Sequence, residues 1–252
     1  MKDSRARIER ISLINAHYLH LDLAIEDEAL RHVKAGHSFL VRVGNKSSEA
    51  QTWNPYLRER WWPIGITGRE ELRVEVPNNR RYDVGQLVQL LGLIGQPYRF
   101  RKNLRNVLLI AYNTEPTSLT VMTQQLLAHN VNVTMVLLGD ARAYQTNHLA
   151  PEIEVIRSND KLEWQDMVMT LGWADQIFVA VGQDDERFRF SEVYGIIQSK
   201  RTDIPAQYVF GVFRPLLPCG VGACDACRIV LKDGTSTTCT EGPAYDLTTV
   251  RL

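Results

Sequence analysis

All four cysteines of the 252-residue chain fall within "PCGVGACDACRIVLKDGTSTTCTEGP", residues 218–243. Their spacing, Cys219-x4-Cys224-x2-Cys227-x11-Cys239, places three thiols on one loop rich in glycine and alanine and the fourth beyond a strand-like run. In a reducing compartment, clustered thiols of this kind are metal ligands rather than disulfides. The pattern fits the plant-type [2Fe–2S] ligand set, in which C-x4-C-x2-C is followed by a distant fourth cysteine. The loop composition suits that chemistry. A negatively charged cluster requires backbone N–H groups aimed at sulfur; Gly220 and Gly222 free the backbone to do so, and Ala223 and Ala226 let it come close. Structural zinc is the rival, but zinc ribbons set their ligands as two short pairs on separate knuckles.

The elements that must position these thiols differ along the chain. Residues 1–102 read as short, often alternating strands separated by Gly, Pro, Asn and charged turns: "RIERISLINA", "YLHLDLAI", "SFLVRVG", "LRVEVP" and "LVQLLGLIG". This predicts a small antiparallel β-barrel or sandwich. From residue 103 to 213 the texture becomes strands alternating with helical periods, an α/β domain with a mostly parallel sheet. Its strands are "VLLIAY", "NVTMVLLGD", "EIEVIRS", "QIFVAVG" and "QYVFGVF". Helical spacing joins Leu119, Met122 and Leu126, and again Phe190, Val193, Tyr194 and Ile197. A further helix is predicted from Lys161 to Leu171, with Ser158, Asn159 and Asp160 as cap candidates and Gly172 as its stop. Residues 214–252 form the small cysteine domain, an appendage whose "CRIVLKDG" strand turns at "KDGTS" to bring Cys239 back.

Composition narrows the function. With 29 basic and 29 acidic side chains there is no global field to attract nucleic acid or an anionic membrane. The N-terminal "MKDSRARIERISLINAHY" has no apolar run of the kind that directs export, and no stretch is long enough to span a membrane, so a cytoplasmic location is expected. No spacing of His with Asp, Glu or Ser suggests a hydrolytic site, and surface or packing roles are expected for all six histidines: His17, His20, His32, His37, His129 and His148.

The order of barrel, α/β domain and C-terminal "CGVGACDAC…CTEGPAYD" resembles the electron-transfer subunits of the two-subunit dihydroorotate dehydrogenases, of pyrimidine biosynthesis, within the ferredoxin-reductase-like superfamily. The resemblance implies FAD between barrel and α/β domain, hydride taken from NADH, and single electrons passed through a [2Fe–2S] centre. It also implies a hetero-oligomer with an FMN-containing catalytic subunit, the chain not being catalytic alone. Cys219, Cys224, Cys227 and Cys239 inherit the ligand role. The family's flavin motif, Arg-Pro-x-Ser followed by a hydroxyl, aligns with "WWPIGIT": Trp62 stands for the arginine, Gly65 for the serine, and Pro63 and Thr67 remain. "VGQLVQLLGLIGQPYRF" is similar to the family's end-of-barrel segment. Where a Gly-rich turn would admit a dinucleotide pyrophosphate, this chain has "AYNTEPTSL", with Asn113, Glu115 and Thr117 crowding the approach; direct use of NADH is not expected.

Local alternatives accompany these roles. Trp61 and Trp62 either cover a flavin ring or pack in a core, and "YLRERWW" is either a solvated barrel loop or, with Trp61 exposed, a docking loop. Thr114 and Ser118 are expected to cap a helix rather than touch a phosphate. Two functions remain open: an electron-transfer subunit built around the cluster, with flavin retained or lost, or a non-redox scaffold in which the cysteines hold a structural metal.

Overall fold

Alternation of apolar and polar side chains closes the first part of the chain on itself. In the computed structural model, which describes residues 2–44, 57–66, 71–158 and 162–252, strands β1 (Lys2–Leu13), β2 (Tyr18–Ile25), β3 (Ser38–Val43), β4 (Glu59–Ile66), β5 (Glu71–Pro77) and β6 (Leu87–Ile94) form a closed barrel in the order β1-β2-β5-β4-β3-β6. Every neighbouring pair is antiparallel. Strand β2 shows how the barrel is built and also how it is covered. Leu19, Leu21, Leu23 and Ile25 point inward at period two, yet the intervening His20 and Asp22 are also buried, because β2 has the second domain against its outer face.

Strand β4 occupies the segment expected to be a loop or a flavin motif. Consecutive strand residues face opposite sides, so its two tryptophans enter different cores. Trp61 packs inside the barrel, edge-on to Tyr82 with ring centroids 6.0 Å apart, whereas Trp62 packs with residues of the α/β domain. Neither is exposed, so a docking loop led by Trp61 is excluded.

The α/β domain runs β7 (Asn106–Tyr112), α1 (Thr117–Ala128), β8 (Asn132–Leu138), β9 (Glu154–Arg157), α2 (Met167–Trp173), β10 (Gln176–Val181), α3 (Glu186–Lys200) and β11 (Val209–Val212). With β14 (Ala244–Asp246) from the C-terminal segment, its sheet has the order β14-β11-β10-β7-β8-β9, parallel except at β14. Helix α2 starts later than the sequence predicts. Trp164 turns into the core beside Met167 and Leu171, and Asp166 takes a left-handed conformation (φ 57°) before the first turn. Of the three cap candidates, Asn159 and Asp160 lie outside the described residues, and the Ser158 hydroxyl donates to the Glu163 carbonyl. Gly172 lies inside the last turn rather than ending the helix.

The C-terminal segment forms the hairpin β12 (Arg228–Leu231) and β13 (Gly234–Thr237). It then adds β14 (Ala244–Asp246), a strand the sequence pattern does not announce, antiparallel to β11. Ile229, Tyr245, Leu247 and Val250 share one core with Phe190 and Phe213. The segment is therefore fused to the sheet rather than appended to it. Among the described residues no helix is long and apolar enough to cross a membrane.

Candidate functional site

The four cysteines converge where the barrel end, the sheet and the C-terminal hairpin meet. Cys227 and Cys239 are buried with their sulfurs 3.3 Å apart, Cys219 is partly covered, and Cys224 is exposed. Backbone geometry creates this arrangement. Gly220 (φ 68°) and Gly222 (φ 74°) are left-handed, which turns the Val221 N–H toward Cys219 Sγ at 3.5 Å and the Gly222 N–H toward Cys239 Sγ at 3.2 Å. These are the donors a thiolate needs. Burial pushes the Cys219 thiol up, but the N–H groups of Val221, Ala223 and Cys224, with the Cys224 thiol, outweigh it and bring Cys219 down to about 6. Burial and the adjacent Cys227 thiol push Cys239 up to about 11.

The loop is held from below by the barrel. A methyl group on Gly220 would stand 2.9 Å from Leu40 Cδ1 and 3.0 Å from Ile94 Cδ1, and Leu40, Ile94, Leu217, Cys227 and Cys239 form one apolar cluster. Beyond the end of β6, the Gly95 N–H donates to the Cys239 carbonyl at 3.0 Å and Gln96 Nε2 to the Thr240 carbonyl at 2.8 Å. The cysteine loop is thus fixed to both larger parts of the molecule.

Leu217 also lines a cleft of about 640 Å³ between the barrel and the α/β domain. Arg60, Trp62, Glu75, Thr117 and Arg214 line the same cleft. Arg60 Nε donates to Ser38 Oγ at 2.9 Å and its guanidinium lies 4.3 Å above the Trp62 ring, but Nη1 and Nη2 are buried without a partner. Arg214 is 5% exposed; one amino group donates to Thr114 Oγ1 at 2.7 Å and to the Val181 carbonyl, while its Nε is buried without a partner. Burial lowers both guanidinium groups from their usual value, Arg60 to about 10; a guanidinium is not deprotonated in proteins, so the cleft carries two positive charges. Buried donors left unpaired are costly, and an anionic group in the cleft would satisfy them.

The predicted flavin residues separate in space. Trp62 lines the large cleft, whereas Gly65 lines a separate, smaller cavity, where a Cβ would stand 3.0 Å from Gln124 Oε1 of α1. Pro63 is buried opposite Val74 of β5, and Thr67 lies outside the described residues. The positive charges of the cleft come from Arg60, two residues before Trp62 on the same strand face, and from Arg214. A two-residue offset on a strand keeps the face, a signal in the sequence that could have found Arg60; nothing local points to Arg214.

At the C-terminal ends of β7 and β8, where a dinucleotide would approach, a cavity of about 260 Å³ is lined by Asn113, Glu115, Asp140 and Tyr144, among others. Asn113 is left-handed (φ 53°) and accepts from the Asp140 N–H at 3.2 Å. Helix α1 begins after Pro116 with no side-chain cap; Thr114 instead accepts from Arg214, and the Ser118 hydroxyl is buried without a partner. The Thr117 hydroxyl donates to the Glu75 carboxylate, which sets a negative charge against the first turn of α1.

The barrel with its mixed sheet is the ferredoxin-reductase-like fold, and solved structures share it. The chain resembles the NADH-dependent reduced ferredoxin-NADP oxidoreductase, a flavin-based electron-bifurcating enzyme, with TM-score 0.70 at 15% identity over 97% of this chain and 89% of that one. It is similar to phthalate dioxygenase reductase, described as transferring electrons from pyridine nucleotides to [2Fe–2S], with TM-score 0.57 at 13% identity over 82% and 66%. The cytochrome b5 reductase domain of the nitrate reductase of Ulva prolifera gives TM-score 0.55 at 10% identity over 82% and 97%. No curated protein sequence matches the chain. Residues 215–251 match the model of the iron–sulfur cluster binding domain of dihydroorotate dehydrogenase B. The likeness to dihydroorotate dehydrogenase electron-transfer subunits thus rests on that match at the C-terminus and on the fold over the rest.

Proposed function

We propose that the chain is an electron-transfer subunit in which Cys219, Cys224, Cys227 and Cys239 hold a [2Fe–2S] cluster and the barrel–sheet cleft holds a flavin, FAD by resemblance. The observation that carries this reading is the position of Leu217, which packs on Cys227 and Cys239 and lines the cleft. A group in the cleft and a group on the cysteines would be separated by little more than one side chain. Bound there, flavin and cluster would supply the exchange between two-electron and one-electron transfer. The protein's part is to hold them. Arg60 and Arg214 place two positive charges against the anionic part of the flavin, Trp62 supports the Arg60 guanidinium from below, and the Val221 and Gly222 N–H groups stabilise charge on sulfur.

The exit for electrons is the cysteine loop itself. Cys224 is exposed, and Leu216 and Val221 beside it are 63% and 48% exposed, an apolar surface suited to a protein partner. By resemblance that partner is an FMN-containing dihydroorotate dehydrogenase-type catalytic subunit, with residues 214–228 at the interface. Electrons are not expected to enter from NADH bound to this chain, because Glu115 and Asp140 line the place a pyrophosphate would take.

Anaerobically purified protein tests the reading. It should show iron–sulfur absorption, an electron paramagnetic resonance signal on reduction, and flavin released on denaturation; Cys224→Ala should lose the signal. A colourless protein that binds only zinc at these thiols would replace it with the structural-metal scaffold, and a normal cluster in Cys224→Ala would overturn the assignment of Cys224 as a ligand.

A further inference from the structure

Two of the histidines expected to serve surface or packing roles meet at a buried carboxylate. His20 comes from β2, Glu75 from β5 and His148 from the connection between β8 and β9, so the first two belong to the barrel and the third to the α/β domain. Their side chains are 7%, 1% and 15% exposed. His20 Nε2 is 3.2 Å from Glu75 Oε2 and His148 Nε2 is 3.6 Å from the same oxygen. The two imidazoles approach at right angles, 85° between planes with centroids 5.0 Å apart, and the ligand atoms of all three residues lie within 4.8 Å of one another.

The hydrogen bonds here, His20 Nε2 with Glu75 Oε2 and the Tyr144 hydroxyl with His148 Nε2 at 3.1 Å, account for only part of the arrangement. Both histidines turn Nε2 toward one carboxylate oxygen, and His148 Nδ1 is buried without a partner. The other carboxylate oxygen is already anchored: Glu75 Oε1 accepts from the Thr117 hydroxyl, and the Tyr144 hydroxyl contacts it at 3.0 Å and Oε2 at 2.8 Å. Hydrogen-bonded anchoring of a carboxylate, one oxygen of which also faces two imidazoles, is how metal-ligating carboxylates are held. Tetrahedral ligands about 2.0 Å from a zinc ion stand about 3.3 Å from each other, and the two N–O separations here bracket that value. A cavity of about 120 Å³, lined by His20 and His148 together with Thr120, Thr123 and Gln124, adjoins the cluster; a water takes about 30 Å³ of liquid volume, so the fourth ligand and an entry path are available.

We propose that His20, Glu75 and His148 form a binding site for a divalent metal ion of the zinc class, completed by a water from this cavity, which clasps the barrel to the α/β domain. Two imidazoles and a carboxylate are a donor set suited to zinc, and the ion would offset the charge of a carboxylate taken out of water. The site shares no residue with the four cysteines, so it stands or falls independently of the iron–sulfur reading.

The test uses the full chain purified with its cofactors, dialysed and then given zinc alone. Elemental analysis should find about one zinc per chain, the stoichiometry of a single three-residue site, retained in Cys224→Ala and lost in His148→Ala and His20→Gln, whose iron content stays that of the wild type. Cobalt(II) added in place of zinc to the wild-type protein should give the visible bands of a tetrahedral nitrogen–oxygen site without thiolate charge-transfer absorption; this keeps the test decisive if a histidine variant fails to fold. No bound zinc in the wild type, zinc that disappears with Cys224 rather than with His148, or a thiolate spectrum with cobalt would each overturn the proposal.

Discussion

Gly222→Ala in the cysteine loop should destabilise the protein by about 2–3 kcal/mol, a left-handed penalty plus a tight contact. The backbone there has φ 74°, a conformation that costs an L-residue about 1–2 kcal/mol. The new methyl carbon would stand 2.9 Å from Thr240 Cγ2, well inside the roughly 3.5–4.0 Å optimum for two carbons, which adds about 1 kcal/mol at the mild end of overpacking. Two controls separate these costs. Gly85→Ala has a similar φ of 82° with nothing within 4 Å of the added atom, and should show the backbone cost alone. Thr240→Ser removes the opposing methyl but keeps the hydroxyl that contacts Thr237 Oγ1 at 2.6 Å, so in that background Gly222→Ala should cost no more than Gly85→Ala. Urea unfolding, followed by circular dichroism and by the visible absorption of the cysteine centre, gives all four values. A Gly222→Ala protein within about 0.5 kcal/mol of wild type, the range of ordinary surface substitutions, would refute the backbone argument, and a Thr240→Ser background that changes nothing would refute the contact.

Glu186 accepts from the Arg214 backbone N–H at 2.6 Å, and burial, only partly opposed by that N–H and by the Arg214 and Arg60 charges, raises its carboxyl from 4.5 to about 6. A raised carboxyl holds its proton more tightly when folded, so its contribution is largest below pH 4.5 and is lost as pH rises through 6; Glu186→Gln, which keeps the acceptor, should gain about 2 kcal/mol over wild type at pH 7 and nothing below pH 4.5, as read from urea midpoints across that window. Arg214→Met should weaken flavin binding about 10- to 100-fold, the value of one or two charge-assisted hydrogen bonds; unchanged flavin content after gel filtration would count against the cleft assignment. Calorimetric titration with NADH should show no binding in the micromolar range, and binding at that level would show that Glu115 and Asp140 do not bar the nucleotide.

The spacing of the cysteines is local chemistry, and it was legible at once: a ligand pattern within 21 residues, Cys219 to Cys239, with glycines where the loop needs left-handed turns. The period-two runs of the barrel and the alternation of strands with helical periods were equally legible, because a half-buried strand or helix writes its exposed and buried faces into consecutive residues. Strand β4 escaped because its outer face is buried too: with Trp61 in one core and Trp62 in another there is no alternation to read. Strand β14 escaped because three residues carry no period, and it exists only through its pairing with β11. Helix α2 begins late because Trp164 is drawn into a core that no local pattern announces. The cleft and the His20–Glu75–His148 cluster were decided by tertiary structure alone. Arg60 and Arg214 lie 154 residues apart in the chain (214 − 60), and His20 and His148 lie 128 apart (148 − 20); the charge or ligand field each pair creates depends on how the barrel docks on the sheet, an outcome of packing over the whole interface that no stretch of sequence contains.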